Sequence, residues 1–220
     1  MHKYVLIAAG GKGTRMDSAQ PKQFMKLSGK PLLVHAFETF QKYDPNIRFV
    51  LVLTEKLHAE WADLCREHGI YARHEIVISG PNRFHSVKNG LKYVPDSALV
   101  AIHDGARPLV SLNLIARVFN IAEKFGNAIP VIETFDSARL TDHAMSTPLP
   151  RERLKLVQTP QCFKSNTIKD AYNVNYKESF TDDASVLEAT GERLFLVDGC
   201  RRNIKITTTT ELAMAEGLAG

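Results

Sequence analysis

The chain is expected to fold as a doubly wound α/β domain on a mostly parallel sheet, and two observations carry that expectation. Short β-branched runs alternate with segments of helical length whose apolar residues recur every three or four positions. The runs themselves are apolar almost without interruption, as strands must be when helices cover both faces of a sheet.

The elements follow in order. Residues 4–9 form the first predicted strand. Residues 31–43 put Leu32, Leu33, Ala36, Phe37 and Phe40 on one helical stripe, with Pro31 in a first-turn position that tolerates the missing N–H. A strand over 49–54 precedes a helix marked by Trp61, Leu64 and Cys65, and a strand over 75–79 precedes a helix containing Val87, Leu91 and Tyr93. The strand over 99–103 leads to a helix whose apolar face is Leu112, Ile115, Ala116, Val118, Phe119 and Ala122, and residues 128–131 return as a strand. The rhythm then breaks: Thr, Asp, Ser and Pro replace the periodic pattern, so residues 132–152 are expected to project from the main sheet. Later come a strand over 154–158, a helix over 168–174, a helix start at 181–184, and strands over 193–197 and 203–206. With no internal repeat or low-complexity linker, a single domain over 1–220 is the simplest partition.

Composition narrows the function. A length of 220 residues with 44% hydrophobic and 24% charged side chains excludes a disordered tail or coiled rod. The formal charge of +4 is too mild and dispersed to mark a nucleic-acid groove, though it suits an anionic small molecule. Cys65, Cys162 and Cys200 are widely spaced and odd in number, which fits neither a metal clamp nor a disulfide framework and predicts reduced thiols. The apolar run after Lys3 is too short for a signal peptide or membrane span, so a cytoplasmic protein without membrane or nucleic-acid partners is expected.

The strongest chemical signal follows the first strand, in Ala8-Ala9-Gly10-Gly11-Lys12-Gly13-Thr14-Arg15-Met16. Open α/β sheets bind ligands at this carboxyl edge. Glycines let backbone N–H groups approach phosphate oxygens, and Lys12, Arg15 and Lys22 add full charges. A Walker A loop is excluded because Gly13 follows Lys12, and the dinucleotide pattern fails at Met16. Gathering these cations is costly unless an anion neutralises them, so phosphate binding outweighs a plain turn.

Other clusters keep two readings. In residues 79–86, Asn82 caps the following helix, while Gly80 and Ser86 are placed to meet a nucleobase edge. Asp104, ending the strand at 99–103, either holds Mg²⁺ or a sugar hydroxyl, or pairs with Arg107 in a turn; His103 packs within the strand end. Residues 156–163 read as a strand entering a turn fixed by Pro160. In Thr181-Asp182-Asp183-Ala184 a helix cap is a sufficient account, although Asp183 is within reach of the same edge. Alternation over 201–207 turns Lys205 away from Ile204 and Ile206, either into solvent or, where that face meets the glycine loop, onto phosphate.

Jointly, GxGTRM, PKQF, the RxxSVxxGL stretch at 83–91, HDxARP, QTPQxF, TDDAS and NIKIT resemble the 2-C-methyl-D-erythritol 4-phosphate cytidylyltransferase family over nearly the whole chain. The resemblance implies a Rossmann-like nucleotidyltransferase sheet with a projecting dimerisation arm. It implies transfer of a cytidylyl group from CTP, with Mg²⁺, to that sugar-alcohol phosphate in the non-mevalonate isoprenoid pathway. Transition-state stabilisation would fall to Arg15 and Lys22, and acceptor positioning to Arg151 and Lys205. The Ala9, Gly10, Gly11 and Gly13 loop with Gly80 and Ser86 would hold the cytidine. Asp104 would lie near the ribose and metal, and Arg107, Ser137 and Arg139 near the acceptor. A homodimer, with Arg151 acting across the interface, would account for the segment at 132–152. The chain departs from the family pattern at Gly10, where alanine is usual, at Pro81, and at Asp136-Ser137-Ala138-Arg139, where the family has Asp-Thr-x-Lys. Rival readings are a cytidylyltransferase for ribitol or ribulose 5-phosphate and a non-catalytic nucleotide-binding regulatory module.

Overall fold

The computed structural model describes residues 1–11, 21–142 and 145–219. Strand β1 (His2–Ala8) is followed by the two-residue pair β2 (Lys26–Leu27) and β3 (Lys30–Pro31), then helix α1 (Leu32–Tyr43). Next come β4 (Arg48–Leu53), α2 (His58–His68), β5 (His74–Ile78), α3 (Arg83–Leu91), β6 (Ala98–Asp104), α4 (Leu112–Phe125) and β7 (Asn127–Glu133). Strands β8 (Ala138–Asp142) and β9 (Met145–Leu149) precede β10 (Lys155–Val157), β11 (Gln161–Lys164), α5 (Ser165–Ala171), α6 (Asp183–Glu188), β12 (Leu196–Asp198) and α7 (Thr209–Ala219).

The main sheet has the order β10-β7-β11-β6-β1-β4-β5, with β12 beside β7. Strands β6, β1, β4 and β5 run parallel, whereas β11 is antiparallel to both β6 and β7. Alternation within strands divides the core between the two faces. Val5, Ile7, Phe49, Leu51, Leu99 and Ala101 pack with Phe37, Trp61, Leu114 and Phe119 on one side. Tyr4, Leu6, Val50, Val52, Val100 and Ile102 pack with Val87, Ile168 and Leu187 on the other. Burying each such aliphatic side chain contributes about 1.5–3 kcal/mol, which is why the strands lack polar alternation. The doubly wound expectation therefore holds.

Three sequence readings are corrected. Residues 203–206 are not a strand: Asn203 N–H bonds Cys200 O and Ile206 N–H bonds Ala106 O, so the segment is extended between loops rather than laddered on a neighbour. The alternation survives because Ile206 is still buried. The expected helix over 168–174 lies earlier, at Ser165–Ala171, where Ser165 Oγ accepts from Ala98 N–H. The turn expected at Pro160 is present: β10 ends at Val157, the Thr159–Pro160 bond is cis, and the chain resumes as β11, with Cys162 and Phe163 fully buried between β6 and β7. The strand expected over 193–197 is confined to Leu196–Asp198.

The departure from α/β rhythm is a hairpin. Strands β8 and β9 pair antiparallel outside the main sheet, and the side chains at 139–142 and 145–148 are exposed. All three cysteines are free. Among the described residues, no helix is long and apolar enough to cross a membrane.

Candidate active site

The carboxyl ends of β1, β4, β5 and β6 bring the sequence motifs together. Register places Ala8 opposite Asp104, and Gly105 N–H bonds Ala8 O at 3.0 Å. Ala9 N–H bonds Val52 O, and Ser79 N–H bonds Leu53 O, so the start of the glycine loop lies against the turn after β5. The approach is close enough that a Cβ on Gly10 would sit 2.3 Å from Ser79 Cβ. That contact favours glycine at this position, because Ser79 fills the space a side chain would need.

Across the turn, Gly80 N–H donates to Ser86 Oγ at 3.1 Å, and Ser86 Oγ donates to Asn82 O. Asn82 also caps α3 by accepting from His85 N–H, so the capping reading is correct. Ala9, Gly10, Gly11, Gly80 and Ser86 thus gather at one strand edge. Lys12, Gly13 and Arg15 lie outside the described residues. Lys22 opens a short 3-10 turn in which Gln23 and Phe24 are buried.

Beside this edge is a cleft of about 200 Å³ whose lining includes Arg83, Asp104, Arg107, Thr159, Asp182 and Lys205. Asp104 is its electrostatic centre. Arg83 Nε lies 3.2 Å from Asp104 Oδ1, while Lys205 Nζ at 2.8 Å and Arg107 Nε at 3.7 Å share Oδ2. Burial disfavours the Asp104 carboxylate, but Arg83, Lys205 and Arg107 outweigh it and hold its pKa far below the usual carboxylate range. The loop that carries Lys205 is fixed by Asn203, whose Nδ2 donates to Thr159 O and whose carbonyl accepts from Arg107 Nη1.

Behind Asp104 the hydrogen bonds run in one direction. Asp104 N–H donates to Thr159 Oγ1, Thr159 Oγ1 donates to His103 Nδ1, and His103 Nε2–H donates to Arg107 O. This pattern requires the neutral Nε2–H tautomer, since a carbonyl only accepts. Burial lowers the His103 pKa to about 4, and the ring is fully buried, as the sequence reading of a packed histidine expects.

Other expected residues stand elsewhere. Arg151 is exposed and donates to Phe135 O at the base of the hairpin, and Arg139 is bonded to Ser146 within it. Ser137 is exposed at the hairpin's start. None of these three lines the cleft. Conversely, the sequence-based site set omitted Arg83, although it heads the RxxSV stretch; the signal that could have found it is an arginine at a helix start on the ligand edge. Among the described residues no group of three or more His, Cys, Asp or Glu could hold a metal. Asp104 offers a single carboxylate whose two oxygens already face Arg83, Lys205 and Arg107, so an ion such as Mg²⁺ would be held chiefly by substrate phosphates.

The model of the 2-C-methyl-D-erythritol 4-phosphate cytidylyltransferase family matches residues 3–219. The chain belongs to that family. The cytidylyltransferase of that name from Phocaeicola vulgatus is 45% identical over 218 residues, covering 99% of this chain and 100% of the relative. In structure, the chain resembles a 4-diphosphocytidyl-2C-methyl-D-erythritol synthase from Anaerococcus prevotii, with a TM-score of 0.85 at 25% identity over 99% of this chain and 96% of that one. The cytidylyltransferase from Thermus thermophilus gives a TM-score of 0.78 at 29% identity, over 100% of this chain and 99% of that one. Family membership and cleft agree on one chemistry: cytidylyl transfer needs a strand-edge site that gathers cations around a polyphosphate.

Proposed function

We propose that this chain transfers the cytidylyl group of CTP to 2-C-methyl-D-erythritol 4-phosphate, releasing pyrophosphate, as a step of isoprenoid biosynthesis. The observation that carries the reading is the ionic cluster of Asp104 with Lys205 and Arg107, set at the strand edge beside the glycine loop. An acceptor phosphate oxygen attacks the α-phosphorus of CTP in line; the new O–P bond forms as the bond to the β-phosphate bridging oxygen breaks, and pyrophosphate leaves. A phosphate is already anionic near neutral pH, so the attack needs no general base. Catalysis is then positioning and charge neutralisation, without a covalent enzyme intermediate.

In this reading Arg15 and Lys22 stabilise the five-coordinate phosphorus, and Lys205 with Arg107 holds the acceptor phosphate. The Ala9, Gly10, Gly11 and Gly13 backbone with Gly80 and Ser86 holds the cytidine, and Asp104 meets the ribose. Mg²⁺, held by Asp104 and mainly by the triphosphate, would supply further charge neutralisation. The chain acts as one domain in a cytoplasmic homodimer, and the hairpin brings Ser137, Arg139 and Arg151 to the neighbouring subunit's acceptor. Exposure of these three, away from the cleft, supports that arrangement.

The test is pyrophosphate release by purified protein given CTP, Mg²⁺ and one of three acceptors. Turnover is expected with 2-C-methyl-D-erythritol 4-phosphate. Faster turnover with ribitol or ribulose 5-phosphate would reassign the substrate, and CTP binding without release from any acceptor would leave a binding module.

A further inference from the structure

Asp183 touches the cleft's central carboxylate only through another side chain. We propose that Asp183 is a positioning residue for the transfer, acting through Arg83 on Asp104. The proposal rests on the role given to Asp104 above.

Asp183 is fully buried at the start of α6, and its two oxygens accept from Arg83 Nη1 at 2.8 Å and Nη2 at 2.7 Å. Tyr172 Oη donates to Asp183 Oδ1 at 2.6 Å and holds the carboxylate itself. A two-pronged bond of this kind fixes the plane of the guanidinium, not just its position. With one N–H of each Nη group committed to Asp183, Nε–H is aimed at Asp104 Oδ1, 3.2 Å away. Two further contacts set the place of Asp183: Asp182 and Ser185 form a capping box, and Gln161 joins Asp182 Oδ2 and Ala184 N–H to β11.

The consequence for the cleft is a division of labour on one carboxylate. Arg83 takes Oδ1, leaving Oδ2 to Lys205 and Arg107. Without the fork, Oδ1 loses its fixed donor, and Asp104 is free to rotate out of the orientation in which Oδ2 faces Lys205 and Arg107. Burying an ion pair solely for stability has little merit, since a packed apolar pair of similar volume is often as stable. Fixing the orientation of a carboxylate that meets substrate is a use that an apolar pair cannot replace.

The test is a double-mutant cycle on kcat/KM with CTP and 2-C-methyl-D-erythritol 4-phosphate, using Asp183→Asn, Asp104→Asn and the pair. Asp183→Asn is expected to lose roughly 10- to 100-fold in the wild-type background, the scale of a displaced catalytic group, and less than about threefold when Asp104→Asn is already present. Equal losses in both backgrounds would overturn the proposal and leave Asp183 a structural residue. Wild-type turnover by Asp104→Asn would instead remove the role given to Asp104, and this proposal with it. Should Asp104→Asn be too slow to measure, Asp104→Glu takes its place in the cycle. Should Asp183→Asn fail to fold, Tyr172→Phe and Arg83→Lys enter the same cycle. The first removes one hydroxyl, and the second keeps the charge while losing the fork. Both are expected to lose turnover only where Asp104 is intact, and full activity in both would also overturn the proposal.

Discussion

Lys205 Nζ rests 2.8 Å from Asp104 Oδ2, joining the last extended segment of the chain to the end of its central strand. In the proposed function the pair would tie the acceptor cation to the carboxylate assigned to the ribose, and both substrates' sites would share one electrostatic centre.

Replacing Lys205 with methionine keeps the aliphatic stem and removes the charge. We expect kcat/KM for the acceptor to fall about 100-fold, the scale of one lost electrostatic contact to a transition state. CTP affinity measured by calorimetry is expected to stay within about threefold. A proportional loss in CTP affinity would move Lys205 to the nucleotide side.

Lys22→Ala is expected to lower turnover by about 10²- to 10³-fold while weakening CTP binding only slightly, because a transition-state contact shows in kcat rather than in ground-state affinity. An unaltered single-turnover rate would take Lys22 out of the chemistry.

If the hairpin works across a dimer, Arg151→Ala and Lys205→Ala chains should complement one another. Each hybrid dimer then has one site with both residues intact and one with neither. Random exchange of subunits should restore about a quarter of wild-type activity to a mixture of two nearly inactive variants. A mixture no more active than its components would place Arg151 outside the neighbour's site.

The Gly10 contact makes a stability prediction. Gly10→Ala brings a methyl group 2.3 Å from Ser79 Cβ, and overpacking of this kind costs about 1–3 kcal/mol. The double variant with Ser79→Gly is expected to recover most of the loss in thermal unfolding. Absence of recovery would place the strain elsewhere.

His103 sets an acid limit on stability. Its pKa falls from the ordinary 6.5 to about 4 on burial, so between those values the unfolded chain binds a proton that the folded chain does not. Stability should therefore drop as pH falls from 6.5 toward about 4, by about 3 kcal/mol from this ring. Urea midpoints across this range check it: His103→Gln should show a shallower slope than wild type.

Much of this protein is written in its sequence. Strands β1, β4, β5 and β6 are continuous apolar runs, and their burial on two faces leaves few alternatives to a doubly wound sheet. The Asn82 cap and the buried His103 are equally local, because capping and apolar packing depend on near neighbours. Proximity across the chain is another matter. Alternation at 203–206 gave the side Lys205 faces but not its partner, since an extended segment held by loop carbonyls has the same pattern as a strand. The identity of Arg83 as a bridge, with Nη groups on Asp183 and Nε on Asp104, follows only from the meeting of α3, α6 and β6. Charges attract at any sequence separation, and only the tertiary fold decides which ones come within reach.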